Sequence, residues 1–355
     1  MPTTALTVDN ELLSATSIEA AKEAKDVNHV TTPYLAEHAR IHGEGNPNKG
    51  SGHKWITSFQ TGGHSAPTKR RTGYEQMNLT FSGVLTPLVL TPAEVSFPIG
   101  ISAVEEDLNG GDLQTIELAS RRAKSVMNEA KRQFEQQIIK GGVAEFDDWN
   151  TLNGIDFSSQ GMLEHRAPAT QTNVIGGFDK AAFQSMPGTQ HQFADVGGSF
   201  NSSGLTSLNR VIIKAKARAI DDISKLSVFC SESAFENYKR TLQASERYII
   251  NSNDDSLDGT GMQLMINGVP AHVSTFMPND VSGGSLTNKA SFYLVDMASI
   301  YCCWSKVLRD GYFSMSDFEA VGNGYSVRVA EVLIRGQLMV DFWGSSALIT
   351  NADTF

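Results

Sequence analysis

The sequence predicts an α+β chain, and three observations carry that prediction. Residues 112–140 repeat their apolar side chains every three or four positions, the period of a helix. The last sixty residues alternate apolar and polar, the period of a half-buried strand. Between them lies a block where strand, helix, tight hairpin and strand patterns follow one another. The chain has 355 residues, enough for a sizeable core and, by usual domain sizes, about two domains. Its 40% hydrophobic and 19% charged residues are those of an ordinary globular protein.

The first fifty residues read as an arm rather than a domain. A short helical candidate, Asn10–Lys25, leads into the polar IHGEGNPNKGSGH, and so small a segment buries little apolar surface of its own. From Tyr74 the period becomes two. Met77, Leu79, Phe81 and Leu85 alternate with polar residues, and Val95, Phe97 and Ile99 do so again after a break. This is a two-stranded reading with one apolar face, interrupted by Pro87, Pro92 and Pro98. Because proline donates nothing to a ladder, these strands are expected at a sheet edge or in an excursion from the body. A lone hairpin is marginal in water, so its apolar face is expected to rest on something else, a second copy of the chain included.

The long helix is the strongest single signal. Ile116, Ala119, Ala123, Met127, Ala130, Phe134 and Ile138 form its stripe, Asp112 can start it and Gly141-Gly142 can stop it. At 1.5 Å per residue it would run about 40 Å. Arg121, Arg122, Lys124, Lys131 and Arg132 stand on the other face, which reads as a solvated basic face or as a contact for an acidic neighbour. Residues 149–220 are rich in loop signals and end in a second helix, Leu205–Ala219. Next come a strand Leu226–Cys230, a helix Glu232–Gln243 and a loop Asn251–Gly261. Two strands, Met262–Ile266 and Val269–Thr275, turn at Asn267-Gly268, and Ser291–Val295 follows. The tail reads as strands Tyr312–Val321 and Tyr325–Arg335 around Gly322–Gly324, with a further alternation through Leu338, Val340 and Phe342.

Several function classes fall away. No apolar run approaches the roughly 20 residues of a membrane-spanning helix. MPTTALTVDNELL lacks the basic-then-apolar pattern of a secretion signal, so the chain is expected to remain where it is made. Cys230, Cys302 and Cys303 are too few for a disulfide framework and are expected as buried small hydrophobes in a reducing compartment. The net charge of −10 argues against sequence-independent attraction to nucleic acid.

Gly45-Asn46-Pro47-Asn48-Lys49-Gly50-Ser51 comes close to a phosphate-binding loop, but the lysine precedes the second glycine instead of following it. The chemistry also needs a strand before the loop and a helix after it. Asp254-Asp255-Ser256-Leu257-Asp258-Gly259 begins like a calcium loop, yet the twelfth position, which should be glutamate, is Met265. His38 and His42 stand four apart without a further ligand at a telling distance. No catalytic, cofactor-binding or metal-binding residue is assigned from the sequence, and no cofactor is expected.

The order of these parts resembles the major capsid protein of tailed bacteriophages, the Hong Kong 97 capsid fold shared with encapsulins and the herpesvirus shell floor. ESAFENYKRTLQ after LSVFC, and the later INGVPAHVSTFMP, are similar in character to that family. The resemblance implies an N-arm at 1–50, an extended loop at 51–103, and a peripheral domain with spine helix at 104–148. It further implies an axial domain at 149–299, a peripheral β-sheet at 300–335, and a return to the axial domain at 336–355. It implies a non-enzymatic coat protein, partnered by itself in pentamers and hexamers and by portal, scaffolding and cement proteins. Its shell would enclose DNA without sequence-specific binding, be assembled in the host bacterial cytoplasm and end in the virion. Lys69 lies in the loop where some members crosslink, without an identifiable acid–base partner. The alternatives are an encapsulin-like compartment of the same fold and a nucleotide-using enzyme centred on Lys49.

Overall fold

The computed structural model describes residues 31–43, 49–50, 52–62, 83–108, 112–154, 156, 159–197, 199–219, 223–241, 264–278, 290–306, 313–320 and 326–352. In chain order the elements are helix α1 (Pro33–His42), strands β1 (Lys49–Gly50), β2 (Trp55–Gln60), β3 (Leu85–Leu90) and β4 (Ala93–Ser102), and helices α2 (Ala103–Leu108) and α3 (Asp112–Ile139). Short strands β5 (Thr151–Asn153), β6 (Gly161–Leu163), β7 (Val174–Ile175), β8 (Phe178–Asp179) and β9 (Gln192–Asp195) follow. Then come α4 (Leu205–Lys216), β10 (Leu226–Cys230), α5 (Glu232–Thr241), β11 (Leu264–Ile266), β12 (Val269–Val273) and β13 (Ala290–Asp296). The chain closes with β14 (Ile300–Ser305), β15 (Ser314–Met315), β16 (Glu319–Ala320), β17 (Val327–Val340) and β18 (Ala347–Thr350).

Two six-stranded sheets organise these elements. The first is built on β17. On one side β17 pairs with β4 from Val327↔Ser102 to Gly336↔Ala93; on the other it pairs with β16, β15 and then β14. α3 lies against this sheet. Among its described side chains Ala130, Phe134, Ile138 and Ile139, in the C-terminal half, are buried, while Ala123 and Met127 are half-covered. Phe134 meets Trp149 edge-on at 5.1 Å between centroids and Trp304 at 5.2 Å, which fixes the helix to the sheet. The helix ends as expected: Gly141 and Gly142 take φ of +80° and +79°, and the Gly141 N–H donates back to the Gln136 carbonyl at 3.1 Å.

The second sheet runs β11-β12-β10-β13-β18-β9. Its strands LSVFC and ALIT are buried at every position. Alternate residues serve two cores: Val228, Cys230, Leu294 and Ile349 join a cluster under α4 and α5, while Phe229, Tyr293 and Leu348 join the core shared with the first sheet. A strand buried on both faces reads as a continuous apolar run, which is what the sequence shows. Asn267 and Gly268, with φ of +52° and +74°, make the tight hairpin between β11 and β12. The chain crosses between the sheets at Met297–Ser299 and again at Asp341–Ser346. Buried Asp296 ties the two crossings, accepting from Ser299 Oγ at 2.9 Å and Ser345 Oγ at 2.6 Å.

Two expectations are corrected. The two alternations expected at Tyr325–Arg335 and Leu338–Phe342 meet in one strand, β17, which runs without a break from Val327 through Gly336 to Val340. A Cβ there would lie 2.5 Å from the Cys303 carbonyl oxygen and 2.8 Å from Trp149, so this glycine admits a close approach and does not end the strand. Tyr312–Val321 carries only the two-residue strands β15 and β16 among its described residues. Of the expected two-stranded excursion, the first alternation through Met77, Leu79 and Phe81 lies outside the described residues; Leu85 opens β3, which pairs with β2, and the second alternation lies in β4, which pairs with β17. β4 does occupy a sheet edge, as its proline requires. The N-terminal helical candidate, Lys69, the turn Gly322–Gly324 and the acidic run Asp254–Gly259 lie outside the described residues.

Candidate functional site

α1 is where the molecule's parts meet. Thr32-Pro33 sets its start, proline being suited to a first helical position because its missing N–H would find no partner there. The next two N–H groups, of Tyr34 and Leu35, donate to the two oxygens of Glu135 at 2.7 and 3.0 Å. A carboxylate on α3, 100 residues away, thereby caps the helix in place of a neighbouring side chain. Burial pushes the Glu135 carboxyl up to about 8, against the pull of those two donors.

One turn on, Glu37 faces the second sheet. It takes both Nε and Nη2 of Arg40, at 2.8 and 2.6 Å, and the Ser227 hydroxyl at 2.5 Å, with His272 Nε2 3.6 Å away. Burial raises this carboxyl, but the Arg40 and Ser227 hydrogen bonds outweigh it and hold Glu37 below the usual range. His38 Nε2 accepts the Cys302 N–H at 3.2 Å, and His42 Nε2 lies 2.7 Å from the Met297 carbonyl. Burial, with His42 beside it, drops His38 to about 3, so its ring is neutral. One ten-residue helix is thus bonded to α3, to both sheets and to a crossing between them.

The β2–β3 ladder presents two unlike faces. Inward, Trp55, Phe59, Leu88 and Leu90 are buried, and Phe59 stacks on Trp343 at 5.0 Å and 14°. Outward, Ile56 and Leu85 are 62% and 66% exposed, with Pro87 between them on the same face. The two strands are connected through residues 61–84, of which 63–82 lie outside the described residues.

Below it lies Lys180, fully buried, with Nζ 3.0 Å from the Met162 carbonyl, 4.0 Å from Glu164 and 4.5 Å above the Trp343 ring. Burial lowers its amine to about 7, although Glu164 opposes the shift. The Glu164 oxygens accept the Thr172 and Asn173 N–H groups at 2.8 and 2.6 Å. Each of these buried ionisable groups is engaged by protein partners, so the arrangement holds segments together.

The motifs weighed from the sequence fall elsewhere. Lys49 and Gly50 form β1, parallel to Trp304 and Ser305, and the next element is strand β2 where a phosphate loop needs a helix. The His38 and His42 rings lie 4.5 Å apart, but among the described residues no three of His, Cys, Asp or Glu are placed to hold a metal ion. Cys230 and Cys302 are buried, with burial pushing the Cys302 thiol up; Cys303 is only half-buried, contrary to expectation. Among the described residues no helix is long and apolar enough to cross a membrane. Sequence reasoning missed Glu37, Glu135, Lys180 and Glu164. The one signal near them was Thr32-Pro33, a helix start with no capping acid of its own.

No protein-family model matches the chain, and no curated protein matches it by sequence. Solved structures do. The capsid subunit of Cyanophage A-1(L) superposes over 96% of this chain and 99% of its own, with a TM-score of 0.59 and 13% identity. The capsid of a native GTA particle matches over 94% and 95% of the two chains, with a TM-score of 0.55 and 11% identity. The holo-SrpI encapsulin complex from Synechococcus elongatus PCC 7942 matches over 96% and 94%, at 0.54 and 12%. The chain has the fold of these shell-forming subunits along nearly its whole length.

Proposed function

We propose that this chain is the major capsid subunit of a tailed bacteriophage, assembling into the pentamers and hexamers of an icosahedral head that encloses double-stranded DNA. The observation that carries the reading is the full-length match to phage capsid subunits, combined with a β2–β3 ladder whose outer face leaves Ile56 and Leu85 exposed. A closed shell asks each copy to make several separate contacts, and segments without a core of their own gain stability by lying on neighbours.

In this reading residues 1–50 are the N-arm, with α1 as its anchored end, and 51–103 the extended loop, whose β4 is shared with the body sheet. Residues 104–148 carry the spine helix. Residues 149–299 and 336–355 form the axial domain, which carries the second sheet, and 300–335 supply the peripheral sheet, into which the last residues of β17, 336–340, also run. Support comes from the strand pairing: β9 to β13 and β18 form one sheet, while β14 to β17 form the other. The subunit is non-enzymatic and its first partner is itself. Portal, scaffolding and cement proteins would complete a head assembled in the host bacterial cytoplasm.

The encapsulin match favours a second reading, a protein compartment of the same fold. Particles purified from expressing cells and from infected cells separate the two. The phage reading expects nuclease-protected DNA in heads from infection; the compartment reading expects packaged protein and no genome. The nucleotide-using enzyme would require nucleotide binding that disappears with Lys49→Ala.

A further inference from the structure

The free edge of β4 is closed by two charged side chains from elsewhere in the chain. Among the described residues, β4 pairs only with β17, so its other side is a sheet edge. Which groups face that edge follows from parity. The Ala103 N–H donates to the Ser326 carbonyl at 2.7 Å, continuing the ladder, so the odd residues of 93–103 turn their backbone groups inward. The even ones, Glu94, Ser96, Pro98, Gly100 and Ser102, turn theirs outward.

Three of the five outward positions are shut. Pro98 has no N–H to offer. The Gly100 carbonyl accepts Arg122 Nη1 at 3.0 Å, and the Ser102 N–H donates to Glu105 Oε2 at 2.9 Å. Arg122 and Glu105 are themselves joined by two bonds of 2.9 Å, and both are largely buried. Glu105 is set by a local device: Ser102-Ala103-Val104-Glu105 is a capping box, with the Ser102 hydroxyl accepting the Glu105 N–H at 3.2 Å. The start of α2 and the middle of α3 therefore converge on one stretch of strand edge.

We infer that the Arg122–Glu105 pair is an edge guard, which keeps a strand of a second copy of this chain from adding to β4. A long, regular sheet edge is a template for such pairing, and charges and proline are the usual means of closing it. At the crowding of a shell-forming protein, an open ten-residue edge would compete with correct contacts. The inference does not depend on the shell reading, because the guard would act on any concentrated form of the chain.

The test uses three full-length variants. Arg122→Ala removes the cap on Gly100 and frees Glu105; it is expected to lose soluble protein to aggregates that bind thioflavin T. Ser96→Pro places a second proline at an outward position, where no ladder bond is lost, and is expected to fold and remain as soluble as the parent. The double variant is expected to regain the lost solubility. A soluble, thioflavin-negative Arg122→Ala protein would overturn the inference, as would aggregation that Ser96→Pro fails to reduce, since that would be loss of stability alone. Unfolding of the single Ser96→Pro protein would overturn the parity on which the edge rests.

Discussion

Replacing Glu135 by glutamine should make the stability of this protein depend on pH in a new way. The wild-type carboxyl rises from an ordinary 4.5 to about 8 because it is wholly buried. A group whose pKa is raised on folding contributes stability that is complete below its unfolded value and is lost as pH climbs through the folded one. The window is therefore pH 4.5 to 8. At about 1.4 kcal/mol per pH step of one, the rise from 4.5 to about 8 corresponds to roughly 5 kcal/mol of wild-type stability across it. Glutamine does not titrate, so the wild-type advantage should shrink with rising pH. Glutamine also offers one acceptor where Tyr34 and Leu35 present two N–H groups, a loss of about 1–3 kcal/mol at low pH. The variant should be the weaker protein near pH 5 and the stronger one near pH 9. Trp55, Trp149, Trp304 and Trp343 are all buried, so urea unfolding followed by tryptophan emission reads this directly, below the concentration at which particles form. A constant difference between the two proteins from pH 5 to 9 would refute the reasoning.

Two further variants separate the body from its contacts. Gly336→Val would drive a side chain into the Cys303 carbonyl and the Trp149 ring, and should cost about 3 kcal/mol or more in the same urea assay. Ile56→Glu with Leu85→Glu alters only exposed positions, so the subunit should unfold within about 0.5 kcal/mol of wild type. The same pair should abolish closed particles in sedimentation velocity.

Much of the body was legible because its signals are local. The apolar stripe ending at Gly141, the strand LSVFC and the Asn267-Gly268 turn each depend on residues within a few positions of one another. What the sequence hid depends on distant partners. The alternations on either side of Gly336 read as separate, and the Trp149 and Trp304 rings packed against that glycine explain why one strand passes through. β4 shows its edge character in Pro98 but not its partner, which lies more than 200 residues away. Glu135 follows Lys131 and Arg132 by one helical turn and stands among Gln133, Gln136 and Gln137, so it looks like part of an exposed face, and its task becomes visible only when α1 is docked. Arg122 read as part of a solvated basic face, whereas the fold pairs it with Glu105. The capping-box spacing of Ser102 and Glu105 was present in the sequence and would have marked one end of that contact.

Copies of this chain should close into a shell through contacts on the outer face of the β2–β3 ladder. Cryo-electron microscopy of the assembled protein tests it most directly. The expected map shows closed icosahedral particles in which Ile56 and Leu85 are covered by a neighbouring subunit. Particles that leave this face in solvent, or a protein that stays a monomer at every concentration, would contradict it.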